Sequence, residues 1–400
     1  MLALAWTALA AIVGGPVAGR LSASGTNFED PGSPSVAARK QLERASGNSP
    51  NPAVFALVRT NGSMAVATTR ASVERVAARL ARDPAVAHVV SFYDAHSAAF
   101  VSRDRRSTYV AASLKPIPST EERGVAKRIE SAFRHQPGVE LGGWLIANEQ
   151  VTAQVEKDLV RAELFAFPLL FVLSLLVFRG LIAAALPPVG GLVAIFSTFL
   201  CLRIVNAFTP LSVFAANLVT GLGLGLAIDY SLFVVSRYRE ELARVGPGRE
   251  ALRRTMATAG RTVLFSSVTV AVSLAALLAF PQPFLYSMGI GGMLAAVFAG
   301  ANALIVLPAI LAALGPRVNA LAPARLRRSA ERSARPESSG FWHRLSQVVM
   351  RRAAVFAVVS AALLIALGIP FLGVKFTGID ASVLPKSASE IGRASCRERV

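Results

Sequence analysis

Charge is what this 400-residue chain has least of. Only 16% of its residues are Asp, Glu, Lys or Arg, against roughly 25% in an ordinary soluble domain. Hydrophobic residues make up 53%. That balance excludes a water-soluble enzyme of this size, and the same figures exclude a disordered chain. Acidic residues are the scarcer sign, 24 against 42 Lys and Arg, for a net charge of +18. The four histidines, His88, His96, His135 and His343, are scattered without ligand spacing and read as surface residues. The two cysteines, Cys201 and Cys396, make no zinc pattern. No disulfide is expected between them, because Cys201 falls in an apolar run. Neither a metal site nor a cofactor is expected. A strong positive charge can mean nucleic acid, so the placement of the basic residues decides the matter.

What the sequence has in quantity is apolar runs. A spanning helix needs about 20 mostly apolar residues. Seven segments are candidates: Leu2–Gly19, Leu164–Phe178, Leu181–Val205, Leu211–Val235, Val263–Phe280, Phe284–Leu314 and Ala353–Val374. Leu2–Gly19 lacks the basic flank of a signal peptide and has only a weak small-residue cleavage site near Ala18–Gly19, so it reads as an uncleaved helix. The same missing flank suggests that residues upstream are absent. Seven arginines, from Arg237 to Arg261, follow the fourth candidate, and nine, from Arg317 to Arg352, follow the sixth. The connections 206–210 and 281–283 carry neither Lys nor Arg, although Arg203 lies just before the first. The positive-inside rule therefore places the Arg-rich loops in the cytoplasm, with anionic lipid as a secondary contact. Read as topology, the positive charge no longer supports nucleic-acid binding.

That orientation divides the chain. Residues 1–20 form the first span, 21–161 an extracytoplasmic domain, 162–315 spans two to six, 316–352 a basic cytoplasmic loop and 353–374 the seventh span. Residues 375–400 begin a further outer segment. In the outer domain, 22–50 is rich in Ser, Gly, Pro and Asn and reads as a mobile lead-in. Val54–Thr60, Val86–Tyr93, Tyr109–Lys115 and Val139–Ile146 read as strands. Val73, Val76, Ala77 and Leu80 repeat at helical spacing, as do Val125, Ile129, Ala132 and Phe133. The resulting β-α-β-β-α-β order, a core of about 52–147, is that of a ferredoxin-like unit. Val151, Val155 and Leu159 line one face of a helix that runs on into the second span, a rod able to carry motion from outside into the membrane.

The chemistry is concentrated in Gly221-Leu-Gly-Leu-Gly-Leu-Ala-Ile-Asp229-Tyr230 and the residues through Glu241. Asp229 lies inside a span, where a carboxylate costs a few kcal/mol and is expected to face a bundle interior. Such a group can take a proton from one side and release it to the other, with the Tyr230 hydroxyl as its hydrogen-bonding neighbour. Gly221, Gly223 and Gly225 depart from a nucleotide loop at Leu226, and Gly221 with Gly225 instead makes a small-xxx-small pair for close helix packing that would bury Asp229. An intramembrane aspartyl protease needs two facing carboxylates, and Asp229 has no second acid well inside any span. Ser266, Ser267 and Thr269 lie in the next span, where back-bonding to the preceding turn is the simplest reading and a proton-path role for Ser266 the sharper one. Glu240 and Glu241 read as a solvated helix end.

Gly223-Leu-Gly-Leu-Ala-Ile-Asp229-Tyr230 through Arg237-Tyr-Arg-Glu-Glu241, with Ala259-Gly260-Arg261-Thr-Val-Leu-Phe-Ser266 and Leu307-Pro308-Ala309, resembles the MMPL family of the RND transporter superfamily. The resemblance implies an α-helical integral membrane protein with an extracytoplasmic α+β ferredoxin-like porter subdomain. It implies proton-motive-force-driven export of lipids or other hydrophobic molecules across the inner membrane, with no enzymatic activity. Asp229 and Tyr230 match the family's proton-relay pair. Family members have two such halves, and residues 1–400 hold no second Asp-Tyr pair, so this chain is expected to be an N-terminal half. The segment 392–400 reads as foreign, and the relay would be completed by a missing C-terminal half or an oligomer partner. Expected partners are membrane lipids, a hydrophobic or lipid substrate and protons. Two alternatives stay open: another RND-type exporter of drugs or an accessory to protein secretion, and a non-transporting lipid- or sterol-sensing membrane protein.

Overall fold

The computed structural model describes residues 21, 28–60, 64–320 and 341–374. The expected span Leu2–Gly19, most of the basic loop and the segment 392–400 lie outside the described residues.

The stretch read as a lead-in contains a helix, α1 (Pro34–Ser46). The residues that made it look like a loop are the helix's own end signals. Ser33 caps the N-terminus by accepting a hydrogen bond from Val36 N, Pro34 starts the first turn, and Gly47 closes the other end at φ 71°. Composition alone does not separate a capped helix from a linker.

From 54 to 142 the elements run β1 (Val54–Arg59), α2 (Ala67–Leu80), β2 (Val86–Val90), β3 (Ser107–Leu114), α3 (Ser119–Phe133) and β4 (Val139–Gly142). A single helical turn, Phe92–Ala95, and a short 3-10 turn, Ala98–Phe100, interrupt the connection between β2 and β3. The strands form one antiparallel sheet in the order β2-β3-β1-β4. Alternation decides which face is covered: Val54, Ala56 and Val58 point into a core with Val73, Val76 and Leu80 of α2 and Val125, Ile129 and Phe133 of α3. On the other face Tyr109 stacks on Phe100 at 4.5 Å and meets the edge of Phe55 at 5.7 Å.

The last strand passes into a helix with one residue between them. Gly143 stands at φ 101°, and a Cβ there would collide with the Ala53 carbonyl. Only glycine fits both demands. From it starts α4 (Trp144–Phe178), a 35-residue rod whose first two turns insert Leu145 and Ile146 into the sheet's core. It is followed by α5 (Leu181–Phe208), α6 (Phe214–Val245), α7 (Arg249–Ala279), α8 (Pro283–Val318), α9 (Phe341–Arg351) and α10 (Ala353–Gly373). Six of these helices, α4 to α8 and α10, are long and apolar enough to cross a membrane. α5, α6 and α8 make the buried centre, α4 and α7 pack outside it, and α10 is exposed along its length.

The segment between α6 and α7 is shorter than its arginines suggest: only residues 246–248 leave the helices. The charges that read as a loop are paired on helix surfaces instead, Arg237 with Glu241 at 2.7 Å and Arg254 with Glu250 at 2.7 Å, each four residues apart. Glu241 is 3% exposed, so it is a buried partner and not a solvated end.

Gly143→Ala is expected to destabilise the four-stranded domain by about 2 kcal/mol or more, from backbone strain and the collision together. Gly47→Ala, with φ 71° but nothing within 4 Å of its Cβ, is expected to cost about 1 kcal/mol. Thermal unfolding of the two variants checks the order.

Candidate functional site

Three of the membrane-length helices contain a π-helical turn: Val219–Gly223 in α6, Met256–Gly260 in α7 and Asn302–Val306 in α8. A π turn inserts one extra residue and so rotates every side chain beyond it. In α6 it lies six residues before Asp229 and sets which way the following residues point.

Tyr230 turns inward. It is 7% exposed and shares a cluster with Ala227 and Val234 of its own helix and with Val263, Ala299 and Ala303 of the neighbouring ones. Its hydroxyl lies 3.2 Å from Ser266 Oγ on α7. Ser266 is therefore the one of the three hydroxyls that reaches another helix; Ser267 and Thr269 bond back to Leu264 O and Phe265 O, as read from the sequence.

Asp229 turns the other way. It lies halfway along the 32-residue helix α6, yet its side chain is exposed and makes no hydrogen bond or ion pair among the described residues. Two expectations are corrected here. The described helices do not bury Asp229, and Tyr230 bonds Ser266 instead of Asp229. The reason is angular: consecutive residues on a helix are 100° apart, so the two side chains face different neighbours.

The glycine reading is corrected in the same way. Among the described residues Gly221 and Gly225 have nothing within 4 Å of a Cβ, and of the three only Gly223 packs, against Ala295 Cβ at 3.3 Å. Gly221, Gly225, Asp229 and Phe233, spaced by four, thus form one open face of α6. Helices do approach closely in this bundle, but at other glycines. A Cβ on Gly300 of α8 would lie 2.6 Å from Ser267 Oγ, and one on Gly291 would lie 3.1 Å from Ala215 O.

A second polar group, missed from the sequence, lies on the far side of α6. Ser231 is 0% exposed and Asn302 3%, and neither side chain has a hydrogen-bond partner among the described residues. Both converge on Gly190 of α5, where a Cβ would lie 2.6 Å from Asn302 Nδ2 and 3.0 Å from Ser231 Oγ. The available signal was an amide in the middle of an otherwise apolar span, which is costly unless it has a use. At one end of the bundle Arg239 donates to the Phe178 carbonyl at 2.7 Å, a cation on the C-terminus of α4. No group of three or more metal-ligating side chains occurs among the described residues.

Comparison with known proteins follows the same outline. The model described as the MMPL family matches residues 27–356. The chain is 42% identical over 252 residues to a putative membrane protein of Streptomyces coelicolor, covering 62% of this chain and 34% of that protein. It is 36% identical over 310 residues to the trehalose monomycolate exporter MmpL3 of Mycolicibacterium smegmatis, covering 72% of this chain and 31% of the relative. It is 35% identical over 223 residues to the mycolic acid-containing lipids exporter MmpL11 of the same organism, covering 55% of this chain and 23% of the relative. The chain thus spans about a third of the length of the first of these relatives.

Packing separates the glycines in a testable way. Gly300→Leu is expected to lower the stability of the purified chain by about 1–3 kcal/mol through overpacking against α7. Gly225→Leu, on the open face, is expected to leave the unfolding midpoint of this chain unchanged.

Proposed function

Because the chain belongs to the MMPL family, we propose that it supplies one half of a proton-driven exporter of lipids or other hydrophobic molecules. The observation that carries the proposal is Asp229, a carboxylate halfway along an apolar helix with its neighbour Tyr230 bonded to Ser266 on the adjacent one. A carboxylate at that depth is costly to keep uncovered in lipid. In this reading the open face of Gly221, Gly225, Asp229 and Phe233 meets further membrane helices, from a C-terminal half or a partner chain, and Asp229 sits between the two sets.

The cycle is then a protonation switch. With its charge neutralised, Asp229 tolerates an apolar surrounding; deprotonated, it draws polar groups or water toward itself. Either change alters how α6 packs. Tyr230 and Ser266 pass the change to α7, since a hydroxyl pair can donate in either direction. The domain of β1–β4 acts as the porter subdomain outside the cytoplasm, and α4 joins its sheet to the bundle. The arginine-rich ends of α6 and α7 lie on the cytoplasmic side of the inner membrane, where positive charge is retained. Relatives named as exporters of trehalose monomycolate and of mycolic acid-containing lipids support a lipid cargo and a role other than catalysis.

In the full-length protein Asp229→Asn is expected to abolish export while expression and membrane insertion persist. Ser266→Ala is expected to slow export by about tenfold, the equivalent of one hydrogen bond at roughly 1.4 kcal/mol. Lipid export from proteoliposomes with and without an imposed proton gradient measures both. Gradient-dependent export by Asp229→Asn at the rate of the parent protein would overturn the relay.

A further inference from the structure

We infer that Arg123 is the joint through which the outer domain grips α4 and so moves the membrane helices. This rests on the export reading above. The rod presents two carboxylates seven residues apart, Glu149 and Glu156, on the side that faces α3. They would repel across that face without a cation between them. Arg123 fills the position with its whole fork: Nη1 and Nη2 each donate to Glu156 at 2.7 Å, and Nε donates to Glu149 at 3.0 Å. A planar guanidinium can make such a bidentate contact and still reach a second acid, which an ammonium cannot do in fixed geometry. Lys127, one turn further along α3, adds a looser contact to Glu149 at 3.5 Å.

Burial distinguishes this group from an ordinary surface pair. The Glu149 side chain is 6% exposed and that of Arg123 17%. The hydrogen bonds it donates to Glu156, and less strongly the charges of both acids, hold the guanidinium above its ordinary pKa against the opposing effect of burial. Only about 10 Å³ of space remains between Arg123, Ser119, Glu122, Leu145, Asn148 and Glu149, room for one water at most. The joint is therefore tight on its Glu149 side, while its Glu156 side opens onto a space of about 550 Å³ lined by Thr120, Arg123, Gly124, Lys127 and Glu156.

Position along the rod gives the joint its use. Leu145 and Ile146 fix the start of α4 in the sheet's core, and Gln150 donates to Glu130 of α3 at 3.2 Å. Glu156 is the farthest of these grips toward the membrane, about 10 Å beyond Glu149 at 1.5 Å per residue. A rigid helix held at two points follows the tilt of the domain that holds it. Without Arg123 it is held only near its start, by Leu145, Ile146, the Gln150–Glu130 bond and the looser Lys127–Glu149 contact, and can tilt beyond them. Arg123 is a positioning residue: it touches neither cargo nor the proton-carrying groups, and it decides whether movement outside reaches Asp229.

The test uses the full-length protein in proteoliposomes and reads lipid export and proton uptake separately, with the thermal midpoint as a check on folding. Arg123→Gln is expected to reduce export at least tenfold while proton uptake stays within twofold of the parent, the signature of a broken coupling. Adding Glu156→Gln to Arg123→Gln is expected to cause no further loss, because both changes cut the same contact. Arg123→Lys keeps the charge without the fork and gives the same split if Arg123→Gln does not fold. Export at the parental rate in these variants would overturn the joint. So would a parallel fall of export and proton uptake, which would make Arg123 a stabilising residue only. Absence of gradient-dependent export in the parent protein would instead overturn the transport reading itself.

Discussion

Apolar side chains gain little by leaving lipid for one another, so helices in a membrane hold together where their backbones approach closely. In this bundle the approach is made by α8. Gly291 lies against the Ala215 backbone, Gly292 against Leu218 and Leu274, and Gly300 against Ser267. These contacts fix α6 and α7 on either side of α8 and leave no room for a side chain at the crossing points. Much else follows from them. With α6 held in this rotation, Tyr230 points to α7, Ser231 points to α5, and Asp229 has only the open side left.

The two ends of the bundle are tied by charge, and the middle is not. Arg239 holds the end of α4 through the Phe178 carbonyl, and Arg237 holds Glu241 within α6. At the end nearest the β1–β4 domain Arg123 holds Glu149 and Glu156. Between them Asp229, Ser231 and Asn302 lack partners among the described residues, and three helices depart from regular α geometry. Firm ends with an underpaired polar centre are what a protonation switch needs. Orphaned polar groups cost about 1–3 kcal/mol each in this arrangement, so a rearrangement that pairs them is correspondingly favoured.

Much of this was legible in the chain itself. Apolar runs locate the spans because a helix must satisfy its own backbone in lipid. Asp229 and Tyr230 stand out for the same reason, as polar groups where polar groups are expensive. Faces were harder. Nothing in Gly221-Leu-Gly-Leu-Gly225 tells which of three glycines meets a neighbour, and the pair at the expected spacing turned out open while Gly223 packs. Ser231, Asn302 and Gly190 come from three helices, so their convergence is a property of the packing and not of any local pattern. Arg123 with Glu149 and Glu156 was invisible on the same ground. The helix α1 was missed because its caps, Ser33, Pro34 and Gly47, are the residues that loops also favour.

The central claim is that Asp229 binds the transported proton in an apolar setting completed by further helices. A hydrophobic carbodiimide tests it directly, since the reagent reaches carboxyl groups from within the lipid and reacts with the protonated form. In the full-length protein in lipid vesicles, the account predicts covalent modification at Asp229, more at acidic than at alkaline pH, with loss of export in proportion to the fraction modified. Modification of Asp229 that is independent of pH, or that leaves export intact, would contradict it.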